Sequence, residues 1–491
     1  MSACDLPATE ARALIGAKKL SPVELLESCI ARIEAVDHAV NAMVARDYDG
    51  ARKAAKAAEA AVMRGDALGL LHGLPVGVKD LDEAAGLPTT WGSPLFRSHL
   101  SKTDDAPIAR VRAAGAVILG KTNTPEFGAG ANTRNSVYGA TGNPFDPSKS
   151  AAGSSGGSAV ALATGMAPLC TGSDTGGSLR NPAGFCGIVG YRPSQGLMAS
   201  EKRGAGWSHL PTVGPMGRTV ADAALLLAAM AGADGRDPLS VAPSADVLRG
   251  VPVATDLSCL RVAFSPDFGF APTEALIRRT FKAKTDLFRS VFASSADATP
   301  DCTGADESFE ILRALGFLAS HLDKVQKTPE LVGPNIVANV QEGLRYSATD
   351  VARAQSLQTA MYRRWQDFFG DVDVIITPTI TLSPRPWREL APMEIDGAPT
   401  RTYFHWLALA YAVTLTGHPA LSLPVGLDEN GMPFGLQIVG RRGADAAVFG
   451  VAHALEGILA GSAETRRPVP DLDRLRAAPP IRDAAGFMGF D

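Results

Sequence analysis

Two serine- and glycine-rich clusters lie close together in the chain: Ala152 to Ser158 reads AGSSGGS, and Gly172 to Arg180 reads GSDTGGSLR. Clusters of this kind serve as linkers, as anion-holding loops, or as parts of a nucleophilic site. A linker is polar on both flanks, whereas the first cluster continues into the apolar SAVALAT and the second follows the apolar MAPLC. Neither cluster contains GxxxxGK[ST] or GxGxxG, the spacings that cradle phosphates at a helix N-terminus. Nucleophilic serine chemistry needs a base and N–H donors aimed at the developing oxyanion. Thr175-Gly176-Gly177-Ser178 suits the second need, because glycines let the backbone approach a substrate and expose successive N–H groups. The nearest histidines, His72, His99 and His209, fall in no GxSxG-like context. A lysine is the alternative base. Lys79 ends the apolar run LPVGVK, where burial disfavours the ammonium and lowers its pKa.

The surrounding elements must bring these residues together. Ser21-Pro22-Val23-Glu24 reads as a capping box with proline at the first helical position, followed by Val23, Leu26, Ile30 and Ile33 at helical spacing. A second helix is expected over the alanine-rich segment 50–65. Short apolar runs at 74–80, 116–123, 166–174, 261–267 and 373–379 end in small or polar residues and alternate with helical stretches such as DDAPIARVRAAG. They predict buried strands of an α/β sheet. Residues 270–370 read as mostly helical, and Asn430-Gly431 marks a hairpin turn between two apolar runs. With no repeat and no dividing linker, one unit spanning 1–491 is expected, with its core over about 73–222.

The 491 residues, 46% hydrophobic and 20% charged, suit a globular protein with a large core. A formal charge of −4 provides no broad field for nucleic acid or an anionic membrane. No apolar run approaches the roughly 20 residues of a membrane span, and Asp5 and Glu10 interrupt any signal-like N-terminus. Six cysteines without CxxC spacing suggest neither a zinc site nor a disulfide framework, so reduced thiols in a cytoplasmic protein are expected.

At this point the chain resembles the amidase signature enzymes, serine hydrolases with a Ser–cisSer–Lys triad. The resemblance runs from about Ser21 to about Leu459 and rests chiefly on GLPVGVKDL, GKTNTPEFG, GNPFDPSKSAAGSSGGSAVALATG, GSDTGGSLRNPAGFCGIVGYRPS and VGPMGRTVADAALLL. It implies a large mixed β-sheet sandwiched between layers of α-helices. It also implies Lys79 as base, Ser154 as the cis-serine relay and Ser178, 24 positions on, as nucleophile. The amides of Thr175, Gly176, Gly177 and Ser178 would form the oxyanion hole, with Ser155 supporting the network. Asp174 and Arg180, also shared with the family, are read as a structural pair holding the turn. The family has Pro-Gly-Gly before the serine pair, whereas this chain has Ala151-Ala152-Gly153, which puts the loop geometry at Ala152 in question.

The reaction so implied is hydrolysis of a small-molecule amide or carbamate through an acyl-enzyme, without metal or cofactor; a homodimer is left open. Asn132, Arg134 and Tyr138 lie where the family lines its substrate channel, although a plain loop role fits them equally. Cys170 and Cys186 could serve a nitrilase-like Cys/Glu/Lys site, but small core cysteines are far commoner. Trp207, Phe404, Trp406 and Tyr411 are candidates for an apolar acyl pocket or for plain core. Two rivals remain: the glutamine-hydrolysing subunit of a tRNA-dependent amidotransferase, and an inactive small-molecule binder. Residues 340–362 do not resemble the glutamine-binding stretch of the first, and the intact Lys79, Ser154 and Ser178 argue against the second. Substrate choice is expected to lie in segments 300–350 and 385–415.

Overall fold

The computed structural model describes residues 2–489; of the unit 1–491 expected above, Met1, Phe490 and Asp491 lie outside that range. Eleven strands form one mixed sheet. In chain order they are β1 (Met43–Arg46), β2 (Pro75–Lys79), β3 (Val117–Thr122), β4 (Leu169–Asp174), β5 (Val189–Arg192) and β6 (Thr212–Gly217). The remainder are β7 (Arg261–Phe264), β8 (Ser294–Asp297), β9 (Val374–Pro378), β10 (Ala420–Leu427) and β11 (Pro433–Val439). Across the sheet the order is β1-β3-β2-β4-β6-β5-β10-β11-β9-β7-β8. Strands β3, β2 and β4 run parallel to one another, as do β9, β7 and β8. The strands between these two groups pair antiparallel. Helices cover both faces, so the central strands are buried on both sides and read as continuous apolar runs.

The helix starts follow the sequence. Helix α1 (Pro22–Val40) is capped by Ser21, whose Oγ accepts from the N–H of Val23 at 2.9 Å, while Glu24 Oε2 accepts from the Ser21 N–H at 3.1 Å. The expected 50–65 helix spans Tyr48–Arg64 and stops at Gly65, whose φ of 79° is the left-handed value glycine accommodates. The 428–432 loop joins β10 to β11, with Gly431 at φ 73°. Four further helices build or buttress the site: α2 (Gly156–Ala163), α3 (Arg180–Cys186), α4 (Ala305–Lys327) and α5 (Ala408–Thr416). No helix among the described residues is long and apolar enough to cross a membrane, and no group of three His, Cys, Asp or Glu could hold a metal.

Candidate active site

Lys79 is the last residue of β2, a strand enclosed between β3 and β4, and its side chain is wholly buried. Its Nζ contacts three hydroxyls: Ser154 Oγ at 2.7 Å, Ser155 Oγ at 2.8 Å and Ser173 Oγ at 2.9 Å. Desolvation pushes the Lys79 ammonium down to about 7, against the opposing pull of Asp82 and Asp174. A neutral amine has two protons and one lone pair, so with three hydroxyl neighbours it can donate to two and accept from the third. Thr171 Oγ1 accepts from the Lys79 N–H at 3.0 Å and donates to Asp82 Oδ2 at 3.2 Å, tying the strand end to that carboxylate. Burial raises the Asp82 carboxyl, and nearby Asp105 raises it further.

The serine pair lies on the loop that enters α2. The Gly153–Ser154 peptide is cis. Ala152, where the chain departs from the resembled motif, takes φ 56°, a left-handed conformation that costs an L-residue about 1 kcal/mol. Three hydrogen bonds hold it there. Its N–H donates to Ser150 Oγ at 3.0 Å, and its carbonyl accepts from the Thr133 N–H at 3.0 Å and Oγ1 at 2.8 Å. The resembled motif has glycine at this position, a residue that takes a left-handed φ without that cost.

Ser178 lies on the turn between β4 and α3. From Ser150 to Ala199 every residue is buried except Ser173, Thr175 and Ser178, so the wall opens only where the candidate nucleophile and its neighbours stand. The Ser155 N–H donates to the Ser178 carbonyl at 3.2 Å, joining the two clusters through the backbone. Among the described residues the Ser178 hydroxyl has no hydrogen-bond partner, so its contact with Ser154 would have to form during reaction, as is common before substrate binds.

Of the four amides expected to face an oxyanion, Gly177 is already engaged: its N–H donates to Asp174 Oδ1 at 2.8 Å. The amides of Thr175, Gly176 and Ser178 meet no acceptor among the described residues and remain available. Gly177 has φ 110°, and a Cβ there would lie 2.5 Å from Ala410 Cβ, so the turn requires glycine.

Asp174 organises this turn. Its carboxylate accepts from Gly177, from the Leu179 N–H at 3.2 Å, from Arg180 Nε at 3.0 Å and from an Arg192 guanidinium nitrogen at 3.1 Å. Burial opposes its charge, but Arg180 and Arg192 hold the carboxyl well below its usual value. Arg180 also reaches the Ala410 carbonyl, Gln437 Oε1 and Thr414 Oγ1, fixing the turn to α5 and β11. Asp174 and Arg180 are thus bonded to each other, with Arg192 as a third member of the cluster.

The turn opens into a cavity of about 590 Å³ that includes Asp82, Ser173 and Thr175. Trp91, Phe96, Phe127 and His321 form an aromatic wall on it. Three channel candidates do not line this cavity. Asn132 clamps the carbonyls of Trp387 and Glu389 at 2.7 and 2.8 Å, Arg134 bonds the Gly486 carbonyl, and the Tyr138 backbone is held by Asn41 and Asn135. Trp207 is 78% exposed and builds no pocket. Phe404, Trp406 and Tyr411 are core, with Tyr411 stacked on Phe309, which in turn sits against Gly176. Burial raises the thiols of Cys170 and Cys186, the former to about 12, which disfavours the nucleophilic thiolate. His72, His99 and His209 make their polar contacts with Ala58, Glu83 and Gln358, away from the serine cluster.

Known proteins share this arrangement of chain. The Amidase family model matches residues 24–449. An acylamidase of Rhodococcus erythropolis is 35% identical over 92% of this chain and 95% of its own length. A glutamyl-tRNA(Gln) amidotransferase subunit of Anaeromyxobacter dehalogenans is likewise 35% identical, over 92% and 96%. Among solved structures, a bacterial aryl acylamidase of the amidase signature family superposes with a TM-score of 0.85 at 27% identity, covering 92% of this chain and 96% of the other. With the family model spanning most of the sequence and both relatives covered nearly end to end, the chain belongs to the amidase signature family.

Proposed function

We propose that this protein hydrolyses a linear carbon–nitrogen amide bond through an acyl-enzyme on Ser178, with Lys79 as base and Ser154 as proton relay. The observation that carries this reading is the buried Lys79 amine on three serine hydroxyls, beside the partly open turn with its free amides. In the first step Ser178 Oγ attacks the carbonyl carbon, its proton passes to Ser154 Oγ, and the Ser154 proton passes to neutral Lys79 Nζ. The carbonyl oxygen becomes an oxyanion and receives hydrogen bonds from the free amides of the 175–178 turn. Collapse breaks the C–N bond while Ser154 delivers a proton to the departing nitrogen, since an amide anion is a very poor leaving group. Lys79 returns its proton to Ser154, leaving an ester on Ser178 and a free amine. Water then takes the place of Ser178 in the same relay and releases the acid. Asp174, Arg180 and Ser155 position the reacting groups without touching substrate.

The test is labelling by a serine-directed fluorophosphonate, followed by peptide mass spectrometry, together with hydrolysis of a panel of anilides, primary amides and carbamates. The label is expected on Ser178, and Ser178→Ala should lose both label and hydrolysis while keeping the wild-type melting temperature. Labelling of Cys170 or Cys186 would refute the assignment. The identity to the amidotransferase chain supports a second reading as a glutamine-hydrolysing protein, which would show itself as glutamine turnover and a stably co-purifying partner. A cytoplasmic location belongs to the same proposal, supported by six free cysteines, five of them buried.

A further inference from the structure

His321 has no part in the proton relay, yet it stands on the wall of the cavity into which the serine turn opens. It lies on α4, which also carries Phe309 against Gly176, so one helix bears both the buttress of the turn and the far wall of the cavity. The imidazole packs at 4.6 Å between ring centroids from Phe127 and 5.5 Å from Phe317. Its Nδ1 is buried without a hydrogen-bond partner, and no described residue bonds to Nε2 either. Six of the other seven histidines have a hydrogen-bond partner: a carbonyl for His38, His72 and His418, a carboxylate for His99, Gln358 for His209 and the Arg401 N–H for His405. His453 Nδ1 also lacks one, and stands 3.8 Å from the Glu456 carboxylate. Nδ1 is sealed from the cavity, so Nε2 is the nitrogen that a molecule in the cavity can reach, and it is free to take a partner there.

The chemistry of the surroundings narrows that ligand. Trp91, Phe96 and Phe127 offer flat apolar surface beside the imidazole, with Phe96 and Phe127 edge to face at 6.1 Å. Burial, reinforced by Lys324 one turn further along α4, holds the imidazole down at about 3, so it stays neutral at physiological pH. A neutral imidazole presents one N–H donor and one nitrogen acceptor. A hydroxyl can pair with Nε2 in either tautomer, donating to it or accepting from it, whereas a carboxylate can only accept.

We propose that His321 is a specificity-determining residue of the amide site, and that it hydrogen-bonds a hydroxyl carried on an aromatic ring of the substrate, the ring lying against Phe127. This rests on the amide-hydrolysis reading, and the test separates the two. Hydrolysis is measured for acetanilide and 4-hydroxyacetanilide, for benzamide and 4-hydroxybenzamide, and for acetamide, with wild type, His321→Phe and His321→Gln. The wild type should favour one hydroxylated ring over its parent by about fivefold in kcat/KM, the factor expected of one neutral hydrogen bond. His321→Phe should bring that ratio near one, and His321→Gln should restore part of the preference. An unchanged ratio in His321→Phe overturns the proposal. Should no amide be turned over, the hydrolytic reading has failed, and calorimetric binding of phenol against benzene still decides for the site. Phenol bound more tightly by wild type than by His321→Phe supports it, and equal affinity overturns it.

Discussion

Replacing Lys79 with methionine keeps the length of the side chain and removes the amine, so it isolates the base from the packing. An exposed lysine at its ordinary value of about 10.4 is neutral in roughly four molecules per ten thousand at pH 7. Burial brings Lys79 down to about 7, where roughly half the molecules are neutral, a gain on the order of a thousandfold in available base. The base acts only when deprotonated, so activity should disappear as pH falls through this value and level off above it. The assay is kcat/KM for a neutral anilide from pH 5 to 10, with thermal melting at each pH to confirm that the fold persists. Wild type should follow an ionisation near pH 7 that belongs to Lys79 and Asp82 together; Lys79→Met should lose that limb and fall by about a thousandfold or more. Asp82→Asn supplies an internal control, because its carboxylate favours the ammonium and its removal should move the limb to lower pH. A wild-type limb near pH 10, or a Lys79→Met enzyme with the native profile, would refute the assignment of the base.

Three further outcomes follow from the same geometry. Ser154→Ala should reduce amide hydrolysis by roughly 10²- to 10⁴-fold and activated esters far less, since good leaving groups need little protonation; equal losses on a matched pair would count against the relay. Asp174→Asn leaves Arg180 and Arg192 buried around a neutral group and should cost about 3–5 kcal/mol in urea unfolding, whereas a loss under about 1 would mean the arginines find other partners. Gly176→Ala puts a Cβ 2.7 Å from Phe309 Cζ, so kcat should fall by about tenfold or more, and the Phe309→Ala double variant should recover part of it; no recovery would show that the loss does not arise at that contact.

The parts legible in the sequence were those whose physics is local. Lys79 could be placed because an apolar run that ends in lysine buries its amine at a strand end, and β2 ends there. The Ser21 box and the 428–432 turn were legible for the same reason, each being set by a few adjacent residues. By contrast, β5 and β6 carry glycine, β6 proline as well, and both lack a plain apolar run, while β8, SSAD, is an exposed edge strand. Only the sheet reveals them. Within the site, the third hydroxyl on Lys79, Ser173, depends on how β4 lies beside β2. Which amide of the TGGS turn is free depends on where the Asp174 carboxylate turns, and spacing carries no signal of that. The aromatic wall joins residues 91, 96, 127 and 321, separations across which no periodicity operates, while the more conspicuous Trp207 faces solvent.

The order of strands also sets a timetable for synthesis. Residues up to Gly217 supply β1 to β6, and this half meets the rest of the sheet only where Gly190, Tyr191 and Arg192 pair with Ser422, Leu421 and Ala420. A ribosome that has just released Arg180 must add more than 200 residues before Ala410, Thr414 and Gln437 exist to receive its guanidinium. At typical elongation rates that interval is roughly ten to fifty seconds. Throughout it the nascent chain holds Lys79, Ser154 and Ser178 but an unfinished turn, and once β5 and β6 have been added it shows the bare edge of β5 to any strand it meets. A ribosome stalled in that window would display all three side chains of the proposed relay, with an open strand edge beside them, on an incomplete protein.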